Sequence, residues 1–193
     1  SEVVDIRECA IFYPGAGAVL DVVRGWIRES GVEPYDLQRG SGVLRYVSMR
    51  HGKFYGQAMV TLSAALTPEQ FSGKRSAFDF AAEKLMAAGG VCSVYACLNT
   101  GISDKALSGD MVLLKGEPFI RERINGIDYK IGPGSFFQTN SICCGLLYSV
   151  VRDQSDSAGR EVLDLFCGCG GISLQVCAGA SGVTGIDIIP QNI

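Results

Sequence analysis

Apolar residues at Val19, Leu20, Val22, Val23, Trp26 and Ile27 recur at helical spacing, and Gly31 with Pro34 closes the stretch, so an amphipathic helix is predicted near the start of the chain. Two apolar, strand-like runs follow, 43–50 and 53–62. The second alternates Phe54, Gly56, Ala58, Val60 and Leu62, and His51-Gly52 between the runs marks a hairpin turn. Thr67-Pro68-Glu69-Gln70 supplies an N-cap, a proline at the first helical position and a capping-box glutamine. The helix it opens ends before Gly89-Gly90, with Ser72-Gly73 as the place where it would kink or split. Residues 91–98 and 111–115 read as further strands. Asn125-Gly126, between Ile120 and Ile131, is a strong type I′ hairpin signal.

From Phe136 onward the pattern changes to helix, strand, glycine loop, helix, strand, which is the start of a parallel βαβ array. The fold class expected is therefore α/β: a mixed, mostly antiparallel domain over residues 1–131, followed by a Rossmann-like unit over 132–193. The boundary falls near Gly132-Pro133-Gly134. A doubly wound unit with only two parallel strands would leave sheet faces uncovered. The chain is accordingly expected to be a fragment.

Composition narrows the setting. The 193 residues are 47% apolar, enough to bury a core in one or two domains. No apolar run reaches the roughly 18 residues that span a bilayer, and no secretory leader opens the chain, which predicts a cytoplasmic protein with no membrane partner. Eight irregularly spaced cysteines and a single histidine do not form a disulfide framework or a zinc motif. The net charge of −3 argues against this stretch being the main grip on a nucleic acid, although Arg39, Arg45, Arg50, Lys53, Lys74 and Arg75 leave room for a basic face. Scattered surface cations are the plainer explanation of those six.

Candidate chemistry concentrates in Glu161-Val162-Leu163-Asp164-Leu165-Phe166-Cys167-Gly168-Cys169-Gly170-Gly171, followed by Val183-Thr184-Gly185-Ile186-Asp187. Glycines let a loop backbone approach a ligand where a Cβ would collide, and an acid ending the next strand can accept both ribose hydroxyls of an adenosine. A dinucleotide fingerprint would want glycine where Ser173 stands, and a phosphate-cradling P-loop would want Lys then Ser or Thr after the glycines. S-adenosylmethionine, which has a sulfonium and no phosphate, is the better match. A tight βα turn without a ligand is the plain alternative.

The run Ile131-Gly132-Pro133-Gly134-Ser135-Phe136-Phe137-Gln138-Thr139-Asn140, just upstream of that loop, strongly resembles the F-F-Q-x-N segment of the bacterial RNA uracil-5-methyltransferase family, the enzymes that make 5-methyluridine in 23S rRNA and tRNA. Leu44-Arg45-Tyr46 with Arg50-His51-Gly52, the Asn99 to Gly101 region, Leu107-Ser108-Gly109 and Phe119-Ile120-Arg121-Glu122 resemble it too, so the likeness covers essentially the whole chain. The resemblance implies a three-part protein: an N-terminal oligonucleotide-binding barrel, a central α/β domain and a class I methyltransferase domain. This chain would hold the central domain and the truncated start of the last.

The resemblance also implies site residues. Gln138, Phe166, Gly168, Gly170, Gly171 and Asp187 match cofactor positions; a helix-capping role is the alternative for Gln138, and Gly171 stands where the family often has asparagine. Phe136 resembles an aromatic that stacks on the extruded target base, with core packing beside Phe137 as the alternative. Cys9 resembles the last of four cysteines that hold a [4Fe–4S] cluster in many members, with an isolated buried cysteine as the alternative.

The chemistry implied begins with a cysteine thiolate adding to carbon 6 of uracil; carbon 5 then takes the methyl group, and a general base removes its proton. In the family that nucleophile and base lie downstream of the acid-ended strand, so no catalytic residue is expected here and the fragment alone would be inactive. Cys167, Cys169, Cys143 and Cys144 read as packing residues. The implied partner is RNA, 23S rRNA ahead of tRNA, with a monomer as the intact state. Two other readings stay open: a Rossmann methyltransferase acting on a protein or small molecule, and a non-catalytic RNA-binding relative.

Overall fold

A computed structural model describes residues 6, 7, 9–101 and 106–189. Its contacts divide into two compact units, one built from the residues up to His51 together with Gly56–Ile120, the other from Gly52–Tyr55 together with the chain from Arg121. The hairpin residues from Arg121 to Ile131 fall in the second of these units.

The first unit is a four-stranded sheet covered by two helices. Its strands, β1 (Leu44–Gly52), β2 (Gln57–Ala64), β3 (Val91–Leu98) and β4 (Asp110–Gly116), lie in the order β1-β2-β3-β4. Helix α1 (Ala16–Ser30) buries Val19, Val23 and Trp26 and stops at Gly31, which takes the left-handed conformation at φ 67°. Helix α2 (Pro68–Met86) begins with the full capping box: the Thr67 hydroxyl accepts from the Gln70 N–H, and the Gln70 side chain accepts from the Thr67 N–H. It runs unbroken through Ser72-Gly73, contrary to the kink or split expected there. Phe71, Phe78, Ala81, Ala82 and Leu85 are buried along it, and that continuous apolar stripe outweighs the helix cost of one glycine.

Because α2 carries the chain back across the sheet, β2 and β3 pair in parallel, with Ala64 opposite Leu98, while β3 and β4 are antiparallel. The sheet is mixed, and the parallel pair is the part that the strand pattern did not announce. The core centres on Trp26, whose ring meets Phe78 at 5.2 Å and whose indole N–H donates to the Ala77 carbonyl at 2.9 Å. The β1–β2 turn is also displaced from His51-Gly52. His51 belongs to β1, stacked on Tyr13 at 4.7 Å, and the reversal is made by Lys53–Gly56, with Gly56 at φ 62°.

In the second unit, β5 (Ile120–Ile124) and β6 (Ile127–Ile131) form the hairpin whose turn is Asn125-Gly126, both at positive φ as a type I′ turn requires. Helix α3 (Ser141–Gln154), strand β7 (Glu161–Leu165), a short α4 (Ser173–Val176) and β8 (Gly182–Ile186) follow. Strands β7 and β8 are parallel and in register, Glu161 opposite Gly182 through Leu165 opposite Ile186. A small core joins Ile124, Tyr129, Cys144 and Tyr148, with Ile127 and Phe137 packed against it. Among the described residues no helix is long and apolar enough to cross a membrane.

Candidate cofactor site

The end of β7 and the end of β8 together shape the glycine loop. Phe166 and Cys167 both donate their N–H to the Ile186 carbonyl, at 2.8 and 3.0 Å, which pins the loop's first residues to the last residue of β8. Phe166 sits at φ 65° and is 86% exposed, a left-handed, solvent-facing aromatic that nothing in the local packing demands. Gly168 and Gly170 follow at φ 56° and 76°, and space is open around the position a Gly168 side chain would take.

Asp187 lies just beyond β8 and faces this loop. Its Oδ2 accepts the Gly168 N–H at 2.8 Å and its Oδ1 accepts the Ile189 N–H at 2.8 Å. One carboxylate therefore orders the loop. An acid at the end of the second strand is the group that takes the paired ribose hydroxyls in adenosine sites. On the opposite flank, Asp164 of β7 accepts the Ser173 hydroxyl at 2.5 Å, which ties the strand to the start of α4.

The two informative stretches of sequence meet here. The Cys169 thiol reaches the Phe136 carbonyl at 3.7 Å, so the loop holding Phe136 and Gln138 runs beside the glycine loop. Phe136 is 72% exposed, whereas Phe137 packs on Tyr129 at 5.5 Å, so within this chain core packing falls to Phe137 alone. Gln138 is half-buried, and the cap of α3 is made by Asn140, whose side chain accepts from the Cys143 N–H at 3.0 Å. The capping role weighed for Gln138 is thus already filled.

Gly171 is explained by its neighbour. A Cβ at Gly171 would lie 2.3 Å from the Tyr148 hydroxyl, so no side chain fits there without moving a buried tyrosine. The Gly171 carbonyl is held as well, accepting from the Tyr129 hydroxyl at 3.1 Å, and Gln175 donates to that same tyrosine oxygen at 2.7 Å. Burial, then its hydrogen bond with Cys144, pushes the Tyr148 phenol well above the usual tyrosine range. Sequence reasoning missed Tyr129, Tyr148 and Gln175 as supports of the loop. The available signal was that tyrosines on apolar faces need hydroxyl partners, which glycine-loop backbone supplies.

Burial first of all raises the thiols of Cys92, Cys97 and Cys144, and the Cys167 sulfur lies against Gly185, 2.8 Å from where a Cβ would be. Cys9 is exposed, and among the described residues no three His, Cys, Asp or Glu side chains converge as a metal site.

No family model matches the chain. Individual proteins do. The 23S rRNA (uracil(747)-C(5))-methyltransferase of Pyrococcus abyssi is 32% identical over 191 residues, covering 99% of this chain and 43% of that protein. The tRNA (uracil(54)-C(5))-methyltransferase of Pyrococcus furiosus is 33% identical over 186 residues, covering 96% of this chain and 41% of that protein. Both of these relatives are RNA uracil-C5 methyltransferases. The crystal structure of the Pyrococcus abyssi tRNA (uracil-54, C5)-methyltransferase in complex with S-adenosyl-L-homocysteine superposes at a TM-score of 0.79, with 29% identity over 100% of this chain and 45% of that one. The chain thus spans less than half the length of the uracil-C5 methyltransferases it matches. Similarity to RNA uracil-C5 methyltransferases thus runs over essentially the whole chain, as the resemblance implied, and the three proteins named here are archaeal.

Proposed function

We propose that this chain is the cofactor-holding portion of an S-adenosylmethionine-dependent enzyme that methylates carbon 5 of a uridine in RNA, in 23S rRNA ahead of tRNA. The observation that carries the reading is the Asp187 carboxylate at the end of β8 accepting the Gly168 N–H, which sets an acid directly against the glycine loop. It suits an adenosine whose ribose sits at the end of β8 and whose amino-acid portion passes the open backbone at Gly168. Bound S-adenosylmethionine supplies a methyl group on a cationic sulfonium.

In this reading Gln138, Phe166, Gly168, Gly170 and Asp187 line the cofactor, and Gly171 contributes backbone only. Phe136, exposed beside the glycine loop, stacks on the extruded uracil. The division at 131/132 into a central domain and a methyltransferase domain belongs to the same proposal. So does a monomeric, cytoplasmic intact protein.

Carbon 5 of uracil becomes nucleophilic once a thiolate has added to carbon 6. Cys144 is buried, Cys167 packs on Gly185, and Cys169 and Cys177 turn to carbonyls; the proposed nucleophile and base belong to the share of the relatives' length that this chain does not span. Cys9 is proposed as a cluster ligand only together with cysteines outside this sequence.

Mass spectrometry of nucleosides from purified 23S rRNA and tRNA, with and without the intact gene, tests the reading. Loss of 5-methyluridine from one RNA supports it and names the substrate. Unchanged levels in both, with redundancy excluded, would turn the assignment to another methyl acceptor or to a non-catalytic relative.

A further inference from the structure

Of the six cations that suggested a basic face in the sequence, three have partners of their own. Arg39 pairs with Asp36 and Arg75 with Asp79, while Arg45 donates to the carbonyls of Asn99 and Gly101. Positive charge gathers instead in the second unit. Strand β5 alternates buried and exposed positions, putting Arg121 and Arg123 outward, and β6 puts Asp128 and Lys130 on the exposed side. Arg123 spans the hairpin to Asp128 in a two-pronged pair at 2.6 and 2.7 Å, which shows that these side chains share one face.

The β1–β2 turn adds Lys53 and two aromatics to this face. Phe54 is 59% exposed, with the Arg123 guanidinium 4.9 Å above its ring, and the Tyr55 hydroxyl donates to Asp128 at 2.8 Å. The turn is held in place by a buried carboxylate. Glu122, 1% exposed, accepts from the N–H groups of Lys53, Phe54 and Arg123 at 2.7, 2.9 and 2.9 Å and from the Ser141 hydroxyl at 2.6 Å. Beside Phe54 opens a cleft of about 440 Å³, with Ile142 and Leu146 of α3 as its apolar wall and Asn125 and Ser149 at its polar rim.

We infer that this face binds single-stranded RNA next to the modified uridine, with one unstacked base entering the cleft against Phe54 and the flanking phosphates meeting Lys53, Arg121 and Lys130. An exposed aromatic beside cations is the combination that unpaired nucleotides use, since every base has a π-face and every phosphate a charge. The turn and hairpin carry four cations, Lys53, Arg121, Arg123 and Lys130, and two carboxylates, Asp128 and the internally satisfied Glu122, on a chain whose net charge is −3. That complementarity favours RNA over an acidic-poor protein segment. The inference rests on the RNA reading above and extends it to nucleotides other than the target.

The test measures binding of a fluorescein-labelled single-stranded RNA of about 12 nucleotides to the intact protein across a salt series. Phe54→Ala is expected to weaken binding about tenfold and Phe54→Trp to restore it. The triple variant Lys53→Ala, Arg121→Ala, Lys130→Ala is expected to lower the salt slope by about 2, at roughly 0.7 per lost phosphate contact. Unchanged S-adenosylmethionine affinity serves as the check that the variants fold. Parental RNA affinity in Phe54→Ala, or a parental salt slope in the triple variant, overturns the inference. Intact RNA affinity with lost self-association in sedimentation would assign the face to a second copy and overturns it as well. Should the protein prove unable to methylate uridine while Phe54→Ala still weakens RNA binding, the function reading fails and this surface stands.

Discussion

The Tyr148 hydroxyl stands 2.3 Å from where Gly171 would carry a Cβ, so the last glycine of the loop is fixed by a tyrosine on the preceding helix. Gly171→Ala should therefore destabilise the second unit by about 1–3 kcal/mol, the usual cost of overpacking a buried contact. Adding Tyr148→Phe removes the colliding oxygen and should recover most of the loss. Calorimetric melting of the two single variants and the double variant checks this, and simply additive effects would contradict it.

Glu122 predicts a second stability effect. Its carboxylate accepts four hydrogen bonds, three of them from backbone N–H groups, and a glutamine would turn an amide donor toward some of those donors. Glu122→Gln should cost about 3 kcal/mol, since hydrogen bonds to charged groups carry about 1.5–3 each and buried donors would be orphaned. Hydrogen exchange should quicken first at the Lys53 and Phe54 amides. Parental protection there would show that the turn is held by something else.

Much of this was legible in the sequence, and the failures have physical causes. The Thr67 capping box, the Asn125-Gly126 turn and the β7–loop–β8 pattern are local signals whose chemistry is complete within a few residues, and the structure shows all three. The β1–β2 reversal was misplaced because His51-Gly52 looks like a turn locally, while the real turn at Lys53–Gly56 is anchored by Glu122, about seventy residues away by the chain. The basic face was sought among nearby arginines, whose carboxylate and carbonyl partners only the fold reveals. Gly171 looked like a departure from a family pattern and is a consequence of Tyr148.

Asp128 gives a pH signature. Hydrogen bonds from Arg123, then from Tyr55, lower its carboxyl to about 2, against an ordinary 3.8. A depressed folded-state value means that the contribution of this group to stability is complete above about pH 3.8 and is lost as pH falls through about 2. Carboxyl NMR titration should find the Asp128 midpoint well below those of the exposed aspartates, and Arg123→Ala should bring it back toward 3.8. An Asp128 midpoint at the ordinary value in the parent would remove the Arg123–Asp128 pair from the account.

The central claim is that the glycine loop and Asp187 bind S-adenosylmethionine, and calorimetric titration of the intact protein with S-adenosylhomocysteine tests it most directly. Asp187→Ala releases the Gly168 and Ile189 N–H groups and removes the proposed ribose acceptor, and Gln138→Ala removes the proposed contact from the F-F-Q segment. Each substitution is predicted to weaken binding at least tenfold, or about 1.4 kcal/mol, with the fold retained. Parental affinity in both variants would contradict the account and place the cofactor, if one is bound, elsewhere.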